Sequence, residues 1–556
     1  MRGRRLGAAL ATTLVASLAL VACAESERGN EGTPDTLIFG AAEDPKVLDP
    51  ALASDGETFR VTRQIYETLV QPELGGAEIV PGLAESWEPD ETGTVWTFHL
   101  KRGVKFHDGT DFDAEAVCFN FDRWYNFRGL MQNPDISYYW QAVFGGFAQN
   151  EEEYADALGE SLYKSCEAAD PYTAVITTTR VTSAFPAALA LAAFSIASPT
   201  ALQQYDADGI SGTVDNPTFP EYAMKHAVGT GPYKFVSWDT VTNTVTLERF
   251  EDYHGEKAKI KNLVFRAIGD LNARKLALRN GEIHGYDFVA PEDVAILRGE
   301  GFNVLTRPAF NILYLAINQS GNPALADIRV RQAIAHAINR EAIVSSVYPE
   351  GSEVAKNFMP PSLPGYNANV TTYEYDVDKA KDLLAQAGYA SGLTLKFYYP
   401  TNVSRPYMPD PAAIFELISA DLQAAGITIE PAPLEWNPPY LNAVQNPGDH
   451  DLHLLGWTGD YADAYNFIGT FFARPTGEWG FDYPELFAAF VEADSEPDYD
   501  TRNGLYEDIN AMIADFVPGV PIAHSPPSLV LASNVTGLAP SPLTDERFHT
   551  VEFVTP

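Results

Sequence analysis

Hydrophobic residues follow two different periods along the chain, and this pattern predicts a mixed α/β fold. Alternating or continuous apolar runs predict strands at 36–41, 95–100, 173–179, 244–250 and 263–268. Helical spacing predicts helices over 57–70, 184–193 and 271–279, and another that begins after Asp113. Asp113 and Asp270 are in the right place to act as N-caps of two of these helices.

The pattern becomes more regular after Arg307-Pro308. Strands are predicted at 312–318, 393–399, 427–431 and 452–457, and helices at 329–347, 378–387, 410–425 and 502–516. Asp327 caps the first of these helices. Such alternation predicts an α/β lobe with a largely buried sheet. Residues 518–533 have strand character and could return the chain to the first half. The sequence therefore predicts two α/β lobes joined by a few crossings.

The N-terminus has the pattern of an export signal. A basic head, Met1 to Arg5, precedes the apolar stretch 6–20. That stretch is shorter than the roughly 20 residues needed to span a bilayer, but it suits a secretory signal core. Leu20-Val-Ala-Cys23 resembles the lipobox of bacterial lipoproteins, which implies a lipidated Cys23 after a signal peptide of residues 1–22. Residues 23–35 would then form a flexible linker. An ordinary signal peptide with a chance cysteine is the alternative, and Arg4-Arg5 leaves twin-arginine export open.

Two further cysteines, Cys118 and Cys166, complete the chain's set of three. In an exported protein a pair of cysteines predicts one disulfide. Closing the loop of about 48 residues between these cysteines would stabilise the fold by about 4 kcal/mol in the chain-entropy model. A reactive thiol is the weaker interpretation, because no histidine partner can be argued from the sequence.

Charge and composition exclude several classes of protein. The formal net charge is -38 at pH 7, which argues against binding nucleic acid or lying flat on anionic lipid. The hydrophobic fraction of 46% is too high for a disordered polyanion. No second apolar stretch is long enough to cross a membrane, and the length predicts several domains or lobes.

The block from Asp451 to Phe467 carries the strongest candidate chemistry. Its apolar run ends at Gly456, and a loop follows that holds Trp457, Asp460 and Tyr461. Loops on rigid strands are common binding sites, and aromatic rings beside a carboxylate can hold a cation or a strip of peptide backbone. A solvated acidic turn is the alternative. The Gly-Thr-Gly at 229–231 is interpreted as a turn, because Pro232 and a strand follow it where a phosphate loop would begin a helix.

Six stretches together resemble the peptide/nickel-type solute-binding proteins of bacterial ABC importers. They are Phe106–Thr110, Val228–Tyr233, Arg249–Tyr253, Asp327–Glu341, Asp378–Gly388 and Gly456–Phe467. The resemblance implies a two-lobed, type II periplasmic-binding-protein-like fold of the α/β class. Its first lobe would be discontinuous, with a core of residues 36–84, 205–306 and 527–556 and an extra subdomain of 85–204. Residues 307–526 would form the second lobe. Hinge crossings are expected near Thr306 to Phe310 and Ser525 to Leu529.

The resemblance also implies roles for particular residues. Asp460 matches the aspartate that receives a peptide's α-ammonium, and a charge-assisted hydrogen bond in a closed cleft would hold that group. Arg405 lies in a stretch, Ser404 to Pro409, where dipeptide binders place an arginine for the peptide carboxylate. Trp436 and Tyr407 are expected in the ligand pocket, with Trp457 and Tyr461 as its walls. A solvated Arg405, and packed-core positions for the two wall residues, are the alternatives.

Other features leave the ligand open. Asp463-Ala464 departs from the family's usual Asp-Pro, and the family also takes up nickel complexes, haem, sugars and opines. His450 and His453 are interpreted as surface or structural groups, so neither a metal site nor a cofactor is predicted.

The predicted function is that of a lipid-anchored, monomeric binding protein on the extracellular face of the membrane or in the periplasm. It would capture short peptides in a cleft between the lobes by hinge closure and deliver them to a membrane permease. It would not be an enzyme, and its partners would be an ABC permease with ATPase subunits. A ligand-sensing lipoprotein and a secreted hydrolase with paired carboxylates are the alternatives.

Overall fold

The computed structural model describes residues 35–155, 158–214, 216–445 and 450–554. The signal segment, Cys23 and nearly all of the linker fall outside these ranges, so the predictions made for them remain predictions.

The strands of the described chain belong to three principal sheets and several two-stranded ribbons. In chain order they are β1 Thr36–Ala41, β2 Val70–Pro72, β3 Ile79–Pro81, β4 Ala84–Pro89, β5 Val95–Leu100, β6 Tyr163–Asp170, β7 Thr173–Thr178, β8 Ser211–Thr213, β9 Asn216–Thr218, β10 Tyr233–Asp239, β11 Thr244–Arg249, β12 Asn262–Ala267, β13 Gly285–Tyr286, β14 Asn303–Thr306, β15 Asn311–Ile317, β16 Glu353–Val354, β17 Leu393–Thr401, β18 Ile427–Glu435, β19 Leu452–Thr458, β20 Gly519–His524, β21 Ser528–Leu531, β22 Val535–Thr536 and β23 Glu552–Phe553.

Most of the longer helices begin at an aspartate whose carboxylate accepts a backbone N–H of the first turn, which satisfies a donor that has no partner within the helix. The predicted caps Asp113, Asp270 and Asp327 are confirmed. In chain order the helices are α1 Gly56–Ile65, α2 Ala114–Tyr125, α3 Tyr138–Phe144, α4 Phe185–Ala188, α5 Pro199–Gln204, α6 Glu221–Lys225, α7 Leu271–Arg279, α8 Pro291–Gly299, α9 Ile328–Ala337, α10 Arg340–Val347, α11 Val377–Gln386, α12 Pro411–Ala424, α13 Leu441–Gln445, α14 Thr470–Phe472, α15 Pro484–Ser495 and α16 Tyr499–Phe516.

The first lobe contains two of the sheets. A seven-stranded sheet has the order β10-β11-β12-β1-β13-β21-β14, so it combines the first strand of the fold with a strand from near the C-terminus. A four-stranded antiparallel sheet, β4-β5-β7-β6, packs with α2 and α3 around a separate aromatic core and forms the extra subdomain. The first lobe is therefore discontinuous in sequence.

The second lobe is built on a six-stranded sheet of order β16-β20-β15-β19-β17-β18. β15 is buried along its whole length, which agrees with its uninterrupted apolar sequence. β17 runs parallel to both β18 and β19, while β15 is antiparallel to β19 and β20. The carboxyl ends of β17, β18 and β19 therefore meet at one edge of the sheet.

Three predicted helices differ from the structure. The helix expected over 329–347 is two helices, because Asn339 accepts a hydrogen bond from the backbone N–H of Ala342 and starts α10 as a new N-cap. The helix expected over 57–70 ends at Ile65, and Val70 already belongs to β2. The alanine-rich stretch 184–193 forms only the short α4 before a single 3₁₀ turn at Ala192–Phe194.

The strand predicted over 518–533 is two strands in different sheets. β20 pairs in the second lobe and β21 in the first, with Ser525-Pro526-Pro527 between them. Proline has no backbone N–H to donate, so two consecutive prolines cannot continue a ladder. The chain therefore changes lobe at this point.

Two described crossings between the lobes lie side by side. Arg307 to Phe310 leads from β14 into β15, and Ser525 to Pro527 leads from β20 into β21. The Asn311 amide joins them: Nδ2 donates to the Ser525 carbonyl at 2.7 Å, and Oδ1 accepts from the Ser525 N–H at 3.0 Å. The crossings lie at the same sheet edge as the ends of β17 to β19, because Asn311 pairs with Thr458.

A buried charge cluster anchors the first crossing. Arg307 forms ion pairs with Asp287 at 2.6 Å and Glu546 at 2.7 Å, and Arg60 also pairs with Asp287. Burial raises the pKa of Asp287, but the two arginines outweigh it and hold that pKa below its ordinary value. Removing one member would leave an uncompensated buried charge, so the cluster holds β13, the crossing and the C-terminal segment together.

Cys118 on α2 and Cys166 on β6 are joined by a disulfide with an S–S distance of 1.99 Å and a Cα–Cα distance of 5.1 Å. The bond connects the helix and the edge strand of the extra subdomain. None of the helices in the described ranges is both long enough and apolar enough to cross a membrane.

Candidate functional site

The predicted site residues follow the carboxyl ends of three neighbouring strands in the second lobe. Arg405 comes after β17, Trp436 directly after β18, and Asp460 after β19. Parallel strands place such loops together, and crevices outside the carboxyl ends of strands are the usual ligand sites of α/β sheets. The topology therefore gathers residues that are far apart in sequence at one sheet edge, which faces the crossings to the first lobe.

Asp460 is held by neutral hydrogen-bond donors. Asn466 Nδ2 donates to its Oδ2 at 3.2 Å, and the Asp460 backbone N–H donates to Asn466 Oδ1 at 2.8 Å. Tyr139 of the extra subdomain donates its hydroxyl proton to Asp460 Oδ1 at 2.8 Å. Among the residues described, no cationic side chain forms an ion pair with this carboxylate.

The surroundings of Asp460 disfavour its negative charge. Burial raises its pKa to about 6, although the hydrogen bonds from Tyr139 and Asn466 and the charge of Arg63 act in the opposite direction. A positively charged group bound against Asp460 would therefore remove much of the penalty of keeping this carboxylate ionised.

Arg405 is the corresponding positive group. Its guanidinium carbon lies 4.5 Å from the centre of the Trp436 ring, which is a cation–π distance. Its Nε is buried and has no hydrogen-bond partner, and within the described ranges Arg405 forms no ion pair with a carboxylate. A planar guanidinium fixed over an aromatic face and left without an anion is suited to bidentate binding of a carboxylate.

Tyr407 forms part of the packed floor beneath this loop. Its ring lies so close to Gly456 that a Cβ there would meet ring carbon Cδ2 at 2.4 Å and the Ile312 carbonyl at 2.3 Å. Glycine is therefore required at this position of β19. Tyr407 is buried, its carbonyl accepts a hydrogen bond from Tyr348 at 2.8 Å, and burial raises its pKa to about 12.

The two aromatic residues that flank Asp460 have different surroundings. Trp457 is partly buried, packs against Phe471 and directs its indole nitrogen to Asn466 Oδ1 at 3.4 Å. Tyr461 is buried within the hydrophobic core of the extra subdomain, although it belongs to the second lobe. Tyr461 therefore contributes to the interface between the lobes, whereas Trp457 borders the loop that carries Asp460.

Asp463 and the two histidines have structural partners. Arg502 donates from Nη2 to both oxygens of Asp463, at 2.8 and 2.7 Å, and fixes the loop that follows Asp460. His453 is buried with Nε2 at 3.3 Å from Glu478 Oε1, and the centre of its ring is 4.9 Å from that of His450. Within the described residues, no group of histidine, cysteine and carboxylate side chains has the arrangement of a metal site.

A second contact between the lobes lies at the C-terminal end of α15. Asp494 accepts hydrogen bonds from Thr182 at 2.8 Å and from Arg180 at 3.0 Å, and its backbone carbonyl accepts the Ser183 N–H at 3.2 Å. The extra subdomain thus satisfies a carbonyl that a helix C-terminus leaves without an internal partner. Burial raises the pKa of Asp494, although Thr182 and Arg180 act in the opposite direction.

Tyr139 and Asp494 were not identified from the sequence. Tyr139 lies in the aromatic and acidic stretch 129–160, in which the sequence predicts no element. The Tyr138-Tyr139 pair was the available signal, because tyrosine combines an apolar ring with a polar end that needs a partner. Nothing local could connect Tyr139 with an aspartate that lies 321 residues further along the chain.

Comparison with known proteins gives consistent matches over nearly the whole chain. The sequence profile of the bacterial extracellular solute-binding proteins, family 5 (middle region), matches residues 78–479. The dipeptide-binding protein of Escherichia coli (strain K12) is 32% identical over 530 residues, which cover 93% of this chain and 94% of that protein. Heme-binding protein A of Haemophilus influenzae is 29% identical over 562 residues, covering 97% and 98% of the two chains.

Solved structures agree with these matches. The periplasmic binding protein DppA of Helicobacter pylori, in complex with the peptide STSA, superposes with a TM-score of 0.76 at 29% identity. The alignment covers 94% of this chain and 99% of that one. The expected two-lobed, type II fold is confirmed.

Proposed function

This chain belongs to the bacterial extracellular solute-binding proteins of family 5, and from that premise we propose that it captures short peptides for an ABC importer. Asp460 would receive the peptide's α-ammonium and Arg405 its carboxylate, with Trp436, Tyr407 and Trp457 around the ligand. The observation that supports this function most directly is a pair of opposite charges on loops of one sheet edge, each without an ionic partner among the described residues.

The ligand would bind in the crevice between the lobes, and closure would bring the extra subdomain onto the second lobe. Backbone hydrogen bonds would supply much of the affinity, and side chains between the two poles would be selected loosely. The protein would then deliver its ligand, without chemical change, to a permease with ATPase subunits. We assign the lobes to the predicted ranges, with 36–84, 205–306 and 527–556 as the first core, 85–204 as the extra subdomain and 307–526 as the second lobe.

We further propose that the protein acts as a monomer anchored by a lipid on Cys23 to the cell membrane, on its extracellular face or in the periplasm. Labelling of cells with a fatty-acid analogue should mark the wild type and leave Cys23→Ala unlabelled. Equal labelling of the two proteins would contradict the anchor.

Titration calorimetry with the dipeptide Ala-Phe tests the ligand assignment. Asp460→Asn removes one partner of a charge pair, a change that costs about 3–5 kcal/mol when the pair is buried. We therefore expect Ala-Phe to bind this variant roughly two to three orders of magnitude more weakly than the wild type. Arg405→Ala should weaken Ala-Phe strongly and its C-terminal amide much less.

Asp382→Asn is a matched control, because it removes the same charge from an exposed position of α11 and should leave binding unchanged. If the wild type binds N-acetylated and free Ala-Phe equally well, Asp460 does not receive an ammonium group and the peptide assignment is wrong.

A further inference from the structure

The first lobe contains a cavity that is separate from the sheet edge with Asp460 and Arg405. It has about 640 Å³ of empty space and opens to solvent. Its lining comes mainly from the chain between α1 and β2, from the extra subdomain between Ala190 and Ser195, and from the C-terminal segment between Asp545 and His549. None of the described residues that line it belongs to the second lobe. A molecule bound here would therefore join three parts of the first lobe without entering the crevice between the lobes.

Two arginines of this cavity share one carboxylate. Asp545 lies 3.2 Å from Arg63 Nε and 2.9 Å from Arg547 Nη2. Arg63 Nη1 also donates to the Thr544 carbonyl at 3.1 Å, and Arg547 Nη2 donates to the Pro72 carbonyl at 2.8 Å. These contacts hold both guanidinium groups in place. Within the described ranges, Arg63 Nη2 and the Nε and Nη1 of Arg547 donate to no acceptor.

The second carboxylate of the cavity, that of Glu67, already has its partners. It accepts hydrogen bonds from Tyr253 at 2.9 Å and Thr230 at 2.8 Å, and His254 Nε2 lies 2.9 Å from it. Burial raises the pKa of Glu67, but the hydrogen bond from His254 and those from the other donors outweigh it and keep that pKa below its ordinary value. The Nδ1 of His549 is buried and has no hydrogen-bond partner among the residues described. The unused polar groups of the cavity are therefore mainly donors, which suits a ligand rich in acceptor oxygens.

We propose that this cavity binds a small oxyanion such as inorganic phosphate, held between Arg63 and Arg547. This inference does not rest on the proposed function. The oxygens of such an anion would accept the free N–H groups of both arginines, and these charge-assisted hydrogen bonds are about twice as strong as neutral ones. The two side chains are only 18% and 16% exposed, so water and salt screen their charge incompletely. They form a local positive site in a chain whose formal net charge is -38.

The experiment measures phosphate binding by calorimetry on the full-length mature protein, near neutral pH and with the ionic strength held constant by sodium chloride. The wild type should bind one phosphate saturably. Arg547→Gln removes the charged donors, so phosphate should bind at least about tenfold more weakly. Arg279→Gln is the matched control, because Arg279 forms an ion pair of 2.7 Å with Glu300 and does not line the cavity. It loses the same charge and should bind phosphate as the wild type does.

Asp545→Asn should change the affinity in the opposite direction. Loss of this carboxylate removes a negative charge beside the site and releases donors of both arginines, so phosphate should bind about tenfold more tightly. A residue that only supported the local structure would weaken phosphate binding when replaced. Thermal unfolding by circular dichroism verifies that each variant is folded.

The possible outcomes are distinct. Saturable binding that is weakened in Arg547→Gln, kept in Arg279→Gln and strengthened in Asp545→Asn would establish the site. A wild type without saturable phosphate binding, or one that binds phosphate no better than Arg547→Gln does, overturns the proposal. Phosphate binding that is lost in Arg405→Ala and kept in Arg547→Gln also overturns it, because the anion would then lie in the crevice between the lobes.

Discussion

At the scale of single residues, Asp460 combines burial with incomplete electrostatic compensation. Its hydrogen bonds come from neutral donors, and its pKa is raised to about 6 by burial. The resemblance of Gly456 to Phe467 to a known family identified this residue, and the resemblance of Ser404 to Pro409 identified Arg405. It could not show that Arg405 lies over Trp436, because these residues come together only through the pairing of β17 with β18.

Peptide binding should weaken in acid. An ammonium binds the ionised form of Asp460, whose pKa is about 6. Below pH 6 peptide binding therefore requires Asp460 to release a proton, and the affinity should fall by up to about tenfold for each further pH unit. Affinity should be flat near pH 7 and fall again above about pH 8, where a peptide's amino group loses its own proton. Calorimetry in two buffers of different ionisation enthalpy should detect nearly one proton released for each Ala-Phe bound at pH 5.

Asp494, whose pKa is also raised by burial, responds to acid in the opposite direction. Its protonation favours the arrangement in which it is buried, so acid promotes closure through Asp494 while it weakens peptide binding through Asp460. Asp494→Asn removes this contribution and should keep the loss of affinity in acid. Equal affinity of the wild type for Ala-Phe at pH 5 and pH 7 would contradict the role given to Asp460.

At the scale of elements, the local hydrophobic patterns of the sequence predicted most of the longer strands, but they predicted none of the contacts between the two lobes. β15 and β19 were recognised from continuous apolar runs, and several helices from their capping aspartates. The division of 518–533 between two sheets depends on which partner strands are available, which is a property of the topology. The contact between α15 and the extra subdomain likewise joins side chains whose positions are set by separate cores.

The contact at Asp494 should favour the closed arrangement without any ligand. Asp494→Ala removes both acceptor oxygens and leaves Thr182 and Arg180 without this partner across the lobes, so the ligand-free variant should populate more open molecules. Arg180 is 63% exposed, so its ion pair contributes little and the Thr182 hydrogen bond more. Small-angle scattering should find a larger radius of gyration for the ligand-free variant than for the wild type.

Thr182→Val is the companion variant, since it keeps the size of the side chain and removes the donor to Asp494. It should shift the radius in the same direction as Asp494→Ala. Radii identical to the wild type in both variants would show that this contact does not influence closure.

At the scale of the whole molecule, the two crossings and the charge cluster of Arg307, Asp287 and Glu546 restrict how the lobes can move. The change of pattern at Arg307-Pro308 marked the first crossing in the sequence. The cluster itself could not be predicted, because its members come from the first lobe, the crossing and the C-terminal segment. Under the proposed hinge closure, such a joint would permit rotation about the crossings while the interior of each lobe stays intact.

Ligand should therefore make the wild-type protein more compact. Saturating Ala-Phe should lower the radius of gyration, most clearly in Asp494→Ala, whose ligand-free state is expected to be more open. Separate calorimetry verifies saturation. An unchanged radius in both proteins with bound peptide would be inconsistent with hinge closure.

The ends of β17, β18 and β19 also bear on how this fold diversifies. The groups proposed to recognise the ligand lie in three separate loops, while the stability of the second lobe resides in the hydrophobic cores that cover the two faces of its sheet. Mutations in those loops can therefore accumulate without loss of the frame. The relatives named for a dipeptide and for haem align with 93% and 97% of this chain, at 32% and 29% identity. Divergence confined to the loops would allow one ancestral scaffold to acquire new cargo in small steps, each of which leaves a folded protein for selection to act on.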